Sequence, residues 1–88
     1  MIKLKNHKYA QCHVETSGKD IYFVSYSTTV IKAMYEDDNM YTISCTGMYS
    51  PTTGRHIGWF LQEYFPTLNY YDMKAIAGTE KTISIGRG

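Results

Sequence analysis

The residues of this 88-residue chain that could do chemistry are three histidines, two cysteines and one hydroxyl-rich stretch that also carries an arginine. His56 is followed by Glu63 two helical turns later, a spacing that could set a base and an acid on one helix face. The plainer reading is two solvated polar positions. No nucleophile elbow, phosphate loop or dinucleotide glycine motif accompanies them, so no enzyme activity and no cofactor are expected. Cys12, His13 and Cys45 are the only set with metal-ligand character. Adjacent strand residues point to opposite faces, so Cys12 and His13 cannot share an ion without a bulge. Both cysteines are therefore expected to be reduced core thiols, with neither a metal nor a disulfide.

Two constellations suit binding better. Lys3, Lys5, His7 and Lys8 form a basic start next to Tyr9, Tyr22 and Tyr26, side chains on which nucleic-acid bases could stack. A formal charge of +1 weakens that reading, because phosphate affinity needs clustered positive charge. The second is Tyr49-Ser50-Pro51-Thr52-Thr53-Gly54-Arg55-His56, where hydroxyls and two cationic groups crowd the first turn of a helix. Free N–H groups there favour an anion, although Ser and Thr also serve as ordinary caps. Nine tyrosines in so short a chain suit either a contact surface or simple strand preference. The candidate partner-binding residues are Tyr49, Thr52, Thr53, Arg55, His56, Tyr22 and Tyr26, with Arg55 the expected charged anchor.

Positioning these residues requires a sheet and a helix. Ala10, Cys12 and Val14 alternate with polar partners over Tyr9–Val14, and Thr16–Asp20 supplies a turn into Ile21–Tyr26, making a hairpin. Apolar residues on both sides of Ile21–Tyr26 predict a central strand. Val30–Tyr35 is a shorter strand, and Met40–Thr46 the clearest, with Tyr41, Ile43 and Cys45 facing the core. The period then changes. Ile57, Phe60, Leu61 and Tyr64 fall on one helical stripe, opened by Ser50-Pro51 and stopped before Pro66. Gly54 and Gly58 inside that helix imply a close approach by the sheet or a partner. Asn69–Ala77 reads as a short helix with an Asn69/Asp72 capping box, and Thr79–Ile85 as an edge strand.

The expectation is one α+β domain over residues 1–88: an antiparallel sheet of four to five strands, with one main helix (about 51–65) on one face. Residues 1–7 and 86–88 are expected to be mobile ends. At 43% hydrophobic and 10.1 kDa the chain can bury one modest core. The opening Met1–Lys5 has charge but no apolar run behind it, and no stretch reaches membrane-spanning length.

The segments Ser25-Tyr26-Ser27-Thr28-Thr29-Val30 and Met48-Tyr49-Ser50-Pro51-Thr52-Thr53-Gly54-Arg55-His56-Ile57, running into Trp59-Phe60-Leu61, resemble a family of small phage and prophage proteins. The similarity spans roughly residues 21–64, and Ile31 and Lys32 depart from the short apolar residue that the family pattern has there. The resemblance implies a viral interaction protein in the host cytoplasm. It would bind a host protein and disable it, a CRISPR effector nuclease being the leading candidate. A phage nucleic-acid-binding accessory or regulatory protein is the alternative. No membrane is implied, and self-association is left open.

Overall fold

Alternating apolar residues and short turns lay the first half of the chain down as a meander. In the computed structural model, which describes residues 1–48 and 50–87, its strands are β1 (Cys12–Ser17), β2 (Asp20–Ser25), β3 (Thr28–Tyr35) and β4 (Met40–Cys45). Two helices follow, α1 (Pro51–Tyr64) and α2 (Tyr70–Ile76), and then β5 (Ile83–Gly86). All strands are antiparallel in the order β1-β2-β3-β4-β5. The protein is thus α+β, five-stranded, with a second helix beside the main one.

Turn chemistry fixes the register. Gly18 takes φ +61° between β1 and β2. Asp38 and Asn39 both take positive φ between β3 and β4, the geometry of a tight hairpin turn whose twist matches its strands. Met40 N–H donates to the Asp37 carbonyl across that turn (2.7 Å). In β4, Tyr41, Ile43 and Cys45 are buried and Thr42 and Ser44 half-buried, as the alternation predicts. The β2–β3 register shifts between Phe23 and Val24, so Val30 is an extra residue in β3.

The inner face of the sheet carries Cys12, Val14, Ile21, Phe23, Ile31, Ala33 and Ile43 into one hydrophobic cluster with Ile57, Phe60, Leu61, Phe65, Met73 and Ile76 from the helical half. Phe23 and Phe60 stack at 4.6 Å between ring centroids. Ser50 caps α1, its Oγ accepting from Thr53 N–H (3.2 Å), with Pro51 at the first helical position. Asn69 and Asp72 form the expected capping box of α2.

Four local expectations are corrected. The first strand starts at Cys12, because Tyr9 and Ala10 belong to a turn in which Ala10 N–H bonds the His7 carbonyl (3.1 Å). β3, expected to be a shorter strand, is the longest at eight residues, while β2 is interior as expected, paired on both sides. Gly54 is approached closely, but by Tyr70 of α2 rather than by the sheet, while Gly58 faces open space. Residues 1–7 take part in the fold: Leu4 is fully buried and Ile2 bridges Val14. Lys3 Nζ donates to the Ala10 and Cys12 carbonyls (2.7 and 3.1 Å). At the other end Arg87 N–H donates to the Asn39 carbonyl (2.9 Å); Gly88 lies outside the described residues.

Candidate functional site

The same heptad-like spacing that buries Ile57, Phe60 and Leu61 runs backward to His56 and Thr53, which are also buried. His56 is 3% exposed, so it is not the solvent-facing contact residue expected from sequence. Its Nδ1 lies 2.9 Å from Ser25 Oγ on β2, and Ser25 is itself 2% exposed. The Ser25 hydroxyl donates to Thr53 Oγ1 (3.3 Å), and Thr53 Oγ1 lies 3.2 Å from Ser50 Oγ. Thr53 is likewise a buried cap residue and not a surface contact. A chain of hydroxyls therefore ties the start of α1 to β2.

The Ser25 hydroxyl meets both Thr53 Oγ1 and His56 Nδ1, so Nδ1 is occupied whichever ring nitrogen carries the proton. Among the described residues Nε2 has no hydrogen-bond partner. No fully enclosed side-chain nitrogen or oxygen goes unpaired among them, so Nε2 must reach the surface.

Around this atom four rings follow one another. Tyr26 lies 5.6 Å from His56, His56 5.5 Å from Trp59, and Trp59 stacks on His7 at 3.7 Å. Tyr26 is 54% exposed and takes φ +57° in the β2–β3 turn, a conformation that disfavours any residue with a Cβ. Burial lowers the His56 pKa below its ordinary value, and the positive charges of Arg55, His7 and Lys3 push it the same way. Arg55 is exposed, and among the described residues it has no ion pair. Beyond Trp59, a hollow of about 140 Å³ is lined by Lys5, Asn6, His7, Trp59, Gln62 and Glu63. Glu63 faces Lys5, whose backbone N–H it accepts (2.8 Å), and not His56 as an acid–base pair would require.

The candidates from sequence therefore divide. Tyr26, Arg55 and the half-buried Thr52 stand at the opening of α1. Tyr22 pairs with Glu15 and Lys32 on the outer face of the sheet, away from the helices, and Tyr49 lies outside the described residues. Tyr9 is 99% exposed and shares no sheet face with Tyr22 and Tyr26. Ser25 and Trp59 were not among the expected contact residues, and His7 was expected only as part of the basic start. Ser25 is signalled only as a polar residue on a strand with apolar neighbours, and its partners come from packing.

The cysteines take no part in this face. Cys12 and Cys45 are both buried free thiols separated by β2 and β3, and burial raises the pKa of each. His13 turns to the outer face, where its Nε2 meets Glu15 (2.6 Å).

The chain belongs to a family of unknown function (DUF8033), whose model matches residues 2–83. No curated protein and no solved structure matches it.

Proposed function

We propose that this DUF8033 protein is a non-catalytic binding module that engages a macromolecular partner through the opening of α1, with Tyr26, Arg55, Thr52 and the Trp59–His7 pair as the contact surface. The observation that carries the reading is Tyr26. A tyrosine more than half exposed is held at positive φ, where glycine would cost the fold less. Strain of that kind, about 1–2 kcal/mol, persists where a side chain is kept for something other than stability. Tyrosine, tryptophan and arginine are also the residue types in which interfaces concentrate their energy. Burial of Ser25 argues against catalysis by the Ser25–His56 pair, because no substrate reaches the hydroxyl.

The narrower proposal stands on the motif resemblance: a phage protein that occupies a host defence protein in the cytoplasm, a CRISPR effector nuclease foremost. Its test is DNA cleavage by such a nuclease with stoichiometric wild-type protein, Arg55→Ala or Tyr26→Ala. Cleavage blocked by the wild type and restored by either variant, at an unchanged unfolding midpoint, supports inhibition through this face. Undiminished cleavage with the wild type rejects that nuclease as the target. Equal inhibition by all three moves the contact elsewhere.

A further inference from the structure

We infer that the α1 opening takes a nucleotide unit, an aromatic base carrying a phosphate, with the base edge on His56 Nε2, its ring against Tyr26 and the phosphate on Arg55. The inference rests on the reading that this face is the binding face, and it names the ligand chemistry.

Three features converge on it. The first is an unpartnered polar atom. His56 is 3% exposed and its Nδ1 is bonded to Ser25 (2.9 Å), which leaves Nε2 to meet a ligand. Base edges offer both donors and acceptors to a ring nitrogen. The second is the aromatic setting. Tyr26 and Trp59 flank that imidazole at 5.6 and 5.5 Å, and Tyr26 keeps an exposed ring face. Stacking on such rings is how proteins hold unpaired bases. The third is sign of charge. Arg55, His7 and Lys3 all act on His56 as positive neighbours, and Arg55 has no ion pair among the described residues. Glu63 lines the hollow beyond Trp59 and is turned to the Lys5 amide. Phosphate therefore belongs at the Arg55 end. An acidic peptide would satisfy the charge and could bond Nε2, but its carboxylates bring no aromatic ring to Tyr26.

Trp59 is the only tryptophan in the chain and stands in the site, so its fluorescence reports occupancy directly. The probes are a twelve-nucleotide oligo(dA), an abasic strand of equal length, AMP and inorganic phosphate. Saturable quenching by oligo(dA) is expected, weakening as salt rises. Affinity should fall at least about fivefold in Arg55→Ala and in Tyr26→Gly, the loss expected for one stacking or phosphate contact. AMP binding as tightly as the strand supports the inference with a free nucleotide as ligand. Much weaker AMP binding supports it with a strand. Abasic strand binding as well as oligo(dA), or variants binding like the wild type, overturns it. If no probe quenches Trp59 while a protein target still loses affinity for Arg55→Ala, the nucleotide inference falls and the binding face stands. If that variant changes neither, both fall.

Discussion

A buried imidazole with one nitrogen bonded and one at the surface couples the acidity of His56 to the fold. Its pKa is lowered, chiefly by burial and further by Arg55, His7 and Lys3, whereas the unfolded chain titrates near the ordinary value of about 6.5. The unfolded state then binds more protons just below that value, so stability is full above it and is lost as pH falls through it. A urea midpoint clearly lower at pH 5.5 than at pH 7.5 is expected, and a flat profile would show that His56 takes up its proton equally in the folded and unfolded states. Tyr26 makes the opposite case, a residue the fold would be better without. Tyr26→Gly should raise stability by about 1 kcal/mol by removing the positive-φ strain, less whatever the ring gains against His56. Thermal unfolding decides it: a loss of stability would mean that the ring contact outweighs the strain.

Among the elements, α1 offers an internal comparison. Gly58 has nothing within 4 Å of where a Cβ would stand, so Gly58→Ala should stabilise by about 1 kcal/mol through helix propensity alone. At Gly54 a Cβ would meet Tyr70 Cε1 at 2.7 Å, and Gly54→Ala should forfeit that gain because the ring must move. Equal responses in chemical denaturation would remove the close approach as the reason for Gly54. In β4, Ile43 is fully buried, and Ile43→Ala should cost about 2–4 kcal/mol. A variant as stable as the parent in urea would contradict the register.

Strand alternation was legible in β4, where Tyr41, Ile43 and Cys45 change places with Thr42 and Ser44, and β2 was legible instead from apolar residues on both of its faces. The helix was legible on Ile57, Phe60 and Leu61 for the same kind of reason. What the sequence hid was polarity turned inward. Thr53 and His56 lie on the buried stripe but look like surface residues until Ser25, on a strand far away in sequence, is brought to them. The site was half legible: Arg55 and Tyr26 from their types, Trp59 and the hydroxyl chain only from tertiary packing.

For the molecule as a whole, the amino-terminal segment is a structural part rather than a loose arm. Leu4 is fully exposed to the core cluster and shielded from solvent, and Ile2 extends the β1 edge by its bridge to Val14. Leu4→Ala should therefore cost about 2–5 kcal/mol, within the range for core leucines. Differential scanning calorimetry would register it as a lower Tm, and an unchanged Tm would return residues 1–7 to the status of a mobile end. No helix among the described residues is long and apolar enough to cross a membrane.

The order of the strands has a consequence for biosynthesis. The four strands of the meander are joined by short turns and are complete at Cys45, before any residue of α1 or α2 has left the ribosome. Phe23, Ile31 and Ile43 then stand on one sheet face with no helix to cover them, and the β4 edge waits for a strand made at the far end of the chain. At roughly 5–20 residues per second, that sticky half-protein persists for about two to eight seconds in every round of synthesis. The nascent chain thus presents an apolar sheet face and an unpaired edge for those seconds.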